Sequence, residues 1–359
     1  MNWLISLGLL GFLVMVHEWG HMIVARYSGV RILKFSVGFG PRLFSWTRGH
    51  TEYALSLIPL GGYVKMAGEQ QAERAQQPWE FLSKSIGTRA KVIFAGPCVN
   101  YLVGFLALWV VFVMGYPELL PVVGQTSEDM PARAVGLQEG DRIRAIDGVA
   151  VGTWDEMSEN ISKAADRPLI LLVDREGTSR RVAVTPTAKE ITDPLGHRRT
   201  VGLIGIQPKG EFTSVRFGPI AAVGRTIAQQ WEWVMQTFQA LGSMLTGRLS
   251  MRDSMAGPIG IVMLTSEAIK VGIVPMLFVG SLLSTSLAIF NLFPLPILDG
   301  GHLLFLALEK LRGRPVSINI QERAAQVSFL VLMTFILMVC INDVNRFGLL
   351  DKVVGWMKH

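Results

Sequence analysis

Three stretches of this chain, residues 92–117, 271–298 and 324–341, contain no charged side chain. A fourth, residues 1–25, is apolar apart from His17, Glu18 and His21. A helix needs about 20 apolar residues to cross a bilayer, and every one of these stretches is near that length or beyond it. Lipid offers a backbone no hydrogen bonds, so only helices and closed barrels span it. The pattern commits the chain to an α-helical integral membrane protein with four transmembrane helices, expected at residues 1–28, 92–117, 271–301 and 324–342. Composition agrees: half the residues are hydrophobic and 17% are charged, where a soluble domain carries about 25%. No basic residue precedes the first apolar run and no clear small-residue cleavage site follows it, so we expect a retained span rather than a signal peptide.

Basic residues orient the spans. Residues 26–91 hold 10 Lys/Arg against 4 Asp/Glu, which places that segment, expected as a membrane-associated β-region and loop over 29–91, in the cytoplasm. Residues 302–323 carry 4 basic and 2 acidic groups and form a second cytoplasmic loop. Residues 116–270, with 17 basic and 18 acidic groups, are then extracytoplasmic, as is the tail 343–359. The net charge of +6 needs no nucleic acid to explain it, because there is no Lys/Arg-rich run. The two cysteines, Cys98 and Cys340, lie in apolar stretches and read as small buried residues rather than a disulfide framework. A metal site must use histidine and carboxylate.

The first span supplies both, as His17-Glu18-Trp19-Gly20-His21. Residues four apart on a helix lie about 40° apart around its axis, so His17 and His21 can offer two imidazoles to one metal. Glu18 projects about 100° away, free of the metal and placed to act on water beside it. This is the H-E-x-x-H arrangement of zinc hydrolases. Three ionisable groups in one turn of a membrane helix are costly without a partner, and a divalent cation is the natural one.

Catalytic zinc takes three protein ligands and keeps one position open. His50, His197 and His359 stand in polar or terminal sequence and read as solvated. The third span ends Asn291-Leu292-Phe293-Pro294-Leu295-Pro296-Ile297-Leu298-Asp299-Gly300-Gly301-His302. Two prolines and two glycines break a helix at membrane depth, where irregular backbone survives only inside protein or beside a wet cavity. Asp299 and His302 compete as third ligand, and depth favours Asp299. Asn291, a lone amide, reads as an interhelical hydrogen-bonding group or as an orienter of substrate or oxyanion.

These two motifs together resemble the site-2 protease family, and more narrowly its bacterial regulator-of-sigma-E branch. Phe35-Ser36-Val37-Gly38-Phe39-Gly40-Pro41, Ile58-Pro59-Leu60-Gly61-Gly62-Tyr63-Val64-Lys65-Met66, Ala95-Gly96-Pro97 and Gly257-Pro258-Ile259 extend the resemblance over nearly the whole chain. It implies an intramembrane zinc metalloprotease of the bacterial inner membrane, with the active site toward the cytoplasm. It implies Zn2+ held by His17, His21 and Asp299, Glu18 as general base, and Asn291 against the substrate. Its substrates would be single-pass membrane proteins such as anti-sigma factors already trimmed elsewhere, and leftover signal peptides.

Residues 118–188 have the pattern of a PDZ-like α+β domain, with turns at Gly136, Gly140 and Gly148 and strand-like runs at 169–173 and 181–184. The best-known members of the branch carry two such domains; this chain has room for about one. PDZ domains add a peptide strand to a sheet edge, here expected near Val122, Val123 and Gly124. Residues 189–270 read as linker and amphipathic helix. Its stripe of Ile220, Val223, Ile227, Trp231, Val234, Phe238, Leu241 and Leu245 is expected to pack, on the outer membrane boundary or on the PDZ-like domain. Two other readings compete, a membrane PDZ scaffold and a divalent-metal transporter. A transporter should carry ionisable steps across the bilayer, and residues 3–16 offer none.

Overall fold

In a computed structural model the protein is described over residues 2–70, 75–193, 196–249 and 257–348. The chain opens with α1 (Asn2–Tyr27), β1 (Ile32–Arg48), β2 (Thr51–Met66) and α2 (Ile86–Met114). Then come β3 (Tyr116–Leu119), β4 (Val123–Thr126), α3 (Pro131–Ala134), β5 (Arg142–Ile146), β6 (Val149–Ala150) and α4 (Trp154–Ser162). Strands β7 (Leu169–Arg175), β8 (Thr178–Val184), β9 (Thr187–Thr192), β10 (Arg198–Leu203), β11 (Ile206–Pro208) and β12 (Phe212–Val215) follow. The remainder is helical: α5 (Pro219–Leu245), α6 (Pro258–Val271), α7 (Ile273–Asn291), α8 (Asp299–Arg312) and α9 (Ile318–Arg346). These form two compact units, Met1–Val111 with Val223–Met235 and Met251–His359, and Phe112–Ala222 with Gln236–Ser250.

In the first unit α1, α2, α7 and α9 are long and apolar enough to cross a membrane. Gly20 lets α1 approach α2, since a Cβ there would stand 2.7 Å from the Ala95 carbonyl oxygen. Cys98 is exposed and Cys340 partly so, which corrects the expectation of buried cysteines. Large apolar side chains of α9, among them Leu330, Val331 and Leu337, are exposed as well.

The segment expected as linker contains a further helix, α6. Pro258 starts it at a position where a missing N–H does no harm. Asp343 of α9, fully buried, accepts from Gly257 N at 3.1 Å and Gly260 N at 2.8 Å. A carboxylate at a helix N-terminus meets both the unpaired N–H groups and the positive end of the dipole. The expected loop at 302–323 is helical as far as Arg312, where Gly313 ends α8 in the left-handed region at φ 69°.

Strands β1 and β2 fold into more than a hairpin. Phe35 pairs with Tyr53 on one side and with Val64 on the other, and residues 42–48 pair back onto 51–56. The order across this sheet is 42–48, 51–56, 34–37, 62–66, so 62–66 forms one edge. Gly38 (φ 89°) and Gly61 (φ 112°) turn the chain where an L side chain would be strained.

The second unit centres on an antiparallel sheet of order β6-β5-β7-β8. Ile143, Leu171 and Val173 pack with Met157 and Ile161 of α4 in its core. Thr153 caps α4 by accepting from Glu156 N. Buried Asp141 takes two bonds from Arg175, at 2.5 and 2.6 Å. Burial pushes the Asp141 carboxyl up, but the guanidinium and the Gln138 N–H hold it below the usual carboxylate range.

The peptide edge expected at Val122, Val123 and Gly124 is already occupied. Val122 and Val123 are core residues. Lys209 N donates to Val122 O, Val123 N to Asp141 O, and Gly140 N to Val123 O. β11 lies so close to Gly124 that a Cβ would meet the Pro208 carbonyl oxygen at 2.8 Å. Backbone bonded on both sides cannot add a strand. Of the three residues only Gly124 lines the open cavity of about 560 Å³ that Gln125, Thr126 and residues 136–139 also border.

Most of the stripe on α5 is left uncovered by the protein's own side chains. Ile220, Ile227, Trp231, Phe238 and Leu245 are all exposed, whereas Thr226 and Gln230 are fully buried. Gln230 donates to Tyr101 O at 3.3 Å and to Thr285 Oγ1 at 2.9 Å. The face of the helix that packs carries Thr226 and Gln230 rather than the apolar stripe.

Candidate metal centre

The centre is assembled from the second half of α1, the start of α8 and the flank of α2. On α1, His17 and His21 are buried one turn apart. Their Nε2 atoms are 3.1 Å apart. Asp299, first residue of α8, brings Oδ2 to 2.9 Å from Nε2 of His17 and 3.4 Å from Nε2 of His21. Its approach depends on the two glycines after it. A Cβ on Gly300 or Gly301 would stand 2.2 Å from the carbonyl oxygens of Leu292 and Leu295 respectively. The turn 292–298 can fold back over the start of α8 only because those positions are bare.

The arrangement makes sense around a cation. His21 Nδ1 faces Val92 O at 2.9 Å; a carbonyl accepts only, so the ring proton sits there and Nε2 presents a lone pair. Asp299 Oδ2 is buried and accepts no hydrogen bond. Lone pairs on two imidazoles and a carboxylate at this spacing repel one another unless positive charge stands among them. Ligands about 2.0–2.1 Å from a tetrahedral zinc lie roughly 3.3 Å apart, close to the separations of 2.9 to 3.4 Å found here. The residues present therefore fit zinc. Among the described residues, His17, His21 and Asp299 are the group that can hold a metal.

Glu18 is partly buried and stands apart from the three. Its Oε2 accepts from Val64 N at 3.1 Å, so the carboxylate lies against the edge of the β1–β2 sheet. On an edge strand alternate residues turn their N–H and C=O outward. Val64 and Met66 do so, the latter giving its N–H to Glu69 Oε2 at 3.2 Å.

His302 is exposed one turn beyond Asp299 and is not in the ligand group. His50 is exposed, His197 lies beside Asp193, and His359 falls outside the described residues. Asn291 ends α7 half-buried, and no hydrogen bond joins it to the histidines among the described residues. Sequence reasoning missed three partners: the Val92 carbonyl, the Val64 N–H and Asn100. The first two are backbone groups, which no residue identity reveals. Asn100, a lone amide in a charge-free stretch, carried the same signal that singled out Asn291.

Known proteins place the chain. The sequence pattern of peptidase family M50 matches residues 5–335. A protein of Rhizobium meliloti (strain 1021), provisionally named as a zinc metalloprotease, is 38% identical over 94% of both chains. The zinc metalloprotease RasP of Geobacillus kaustophilus is 29% identical over 94% of this chain and 96% of its own. The regulator of sigma-E protease RseP of Escherichia coli K12 is 30% identical over 94% and 97%. Beside this geometry, the similarity defines a membrane zinc metalloprotease. The chain belongs to peptidase family M50, the site-2 proteases.

Proposed function

We propose that His17, His21 and Asp299 hold the zinc, that Glu18 is the general base, and that the substrates are transmembrane segments of single-pass membrane proteins, anti-sigma factors among them. The convergence of two imidazole nitrogens and a carboxylate oxygen within hydrogen-bonding distance, on apolar helices, supports this reading most strongly. Bound zinc lowers the pKa of water toward 7 and polarises a carbonyl.

The rest is done by the chain. A transmembrane helix hides its carbonyls in internal hydrogen bonds, so the substrate must be unwound before it is cut. The 62–66 edge is the surface on which an extended segment pairs, using the outward groups of Val64. In doing so it takes over the N–H now given to Glu18. Glu18, released, accepts the proton of the attacking water and returns it to the leaving amine. Asn291, at the end of the helix leading to the Asp299 turn, orients the scissile segment or its oxyanion.

The boundary of basic and neutral segments supports an active site toward the cytoplasm and the second unit outside. We read residues 118–188 as the PDZ-like domain and the exposed stripe of α5 as lying at the outer lipid boundary. The test is cleavage of a single-span substrate by purified protein in detergent, with zinc quantified. Glu18→Gln should lose activity by about 10²–10⁴-fold and keep its zinc. Asp299→Ala should lose zinc, and His302→Ala should keep it. Full activity in Glu18→Gln, or zinc unaffected by Asp299→Ala, would refute the assignment.

A further inference from the structure

Asn100 lies within α2 and is fully buried. Its carbonyl oxygen receives the Ser284 hydroxyl of α7 at 2.8 Å. Its side-chain Nδ2 stands 3.5 Å from Nδ1 of His17, and its Oδ1 is buried without a partner. A bare amide oxygen in an apolar interior is destabilising, because it gives up its bonds to water and gains none. Packing alone therefore gives no reason for an asparagine here.

The ring of His17 gives one. A neutral imidazole that offers Nε2 as a lone pair carries its proton on Nδ1. That nitrogen is then a donor and needs an acceptor. A half turn of the Asn100 amide exchanges its nitrogen and oxygen, and Oδ1 makes no bond that such a turn would break. With the oxygen toward the ring, Asn100 does for His17 what the Val92 carbonyl does for His21. One turn before Asn100 on the same helix, Gly96 makes room for both rings, since a Cβ there would stand 2.4 Å from His21 Nε2.

We propose that Asn100 is the positioning residue of His17: its amide oxygen accepts the Nδ1 proton, fixes the tautomer and aims Nε2 at the metal. This rests on the reading of His17 as a zinc ligand, and the test separates the two. Zinc affinity is measured by chelator competition on the full-length protein in detergent, with thermal melting of each metal-free protein as control. Asn100→Leu should weaken zinc binding by about 10–100-fold without moving the metal-free melting temperature. Asn100→Asp keeps the acceptor and should bind zinc at least as tightly as the natural protein. Unchanged affinity in Asn100→Leu, beside loss in His17→Ala, would overturn the inference and leave the ligand reading intact. A tenfold loss in Asn100→Asp would overturn it even if Asn100→Leu failed to fold. Zinc retained by His17→Ala would sink the ligand reading and the inference with it.

Discussion

A Cβ on Gly96 would stand 2.4 Å from Nε2 of His21 and 2.8 Å from Cε1 of His17. Neither ring can retreat along α1 without losing its partner. His21 is held by the Val92 carbonyl at 2.9 Å, and both rings converge on Asp299. We predict that Gly96→Ala, a good helix former at a helical position, keeps its circular dichroism but binds zinc at least about tenfold more weakly. Unaltered affinity in chelator competition would show that the rings yield. Much of this was legible in the sequence. The i, i+4 spacing of the histidines requires only a helix, and the Pro- and Gly-rich end of the third span announces a break. Depth in the span already favoured Asp299 over His302, but did not show the way Asp299 is brought to the histidines. That depends on how the 292–298 turn folds over Gly300 and Gly301, a matter of backbone close approach that no spacing encodes.

At the scale of elements, the edge of the β1–β2 sheet carries the substrate reading. Pro is tolerated on an edge where the lost N–H points outward, as Val64 N does. Val64→Pro should therefore leave zinc bound and lower kcat/KM for a single-span substrate by about 2–10-fold, the worth of one hydrogen bond. Unchanged kinetics would argue that the substrate pairs elsewhere. The sequence showed β-like alternation here but not the doubled-back pairing, which is set by bends at Gly38 and Gly61. The α5 stripe shows the converse limit: periodicity identifies an apolar face, but does not say whether the protein itself covers it, and here most of it is exposed. In the second unit, Arg175 keeps Asp141 below its usual range despite burial. A depressed folded value means that the ion pair stabilises fully above the unfolded value, near 3.9, and that this is lost as the pH falls through the lower folded one. Amide exchange of β5 and β7 in the whole protein, corrected for intrinsic rates, should show protection falling below about pH 4. Arg175→Ala should remove that dependence. An acid-side loss that survives the substitution would place its origin elsewhere.

For the whole molecule, four charge-poor stretches, one H-E-x-x-H and one broken span suffice to indicate a zinc hydrolase in a membrane, and their resemblance to the site-2 proteases adds the peptide bond as its target. Long apolar runs and metal spacing are local in sequence, and family M50 membership agrees with them. Less legible was what depends on distant segments meeting: Asp343 holding the start of α6, β11 sealing the strand expected to take a peptide, and Asn100 beside His17. The central claim is that peptide bonds within an apolar span are cut at the His17–His21–Asp299 centre. The most direct measurement reconstitutes the protein with a single-span substrate in liposomes and maps the products by mass spectrometry, natural protein beside Glu18→Gln. The expected result is a new terminus inside the substrate's apolar segment, formed by the natural protein alone while both proteins retain zinc. Cleavage confined to residues outside that segment, or products formed equally by Glu18→Gln, would contradict it.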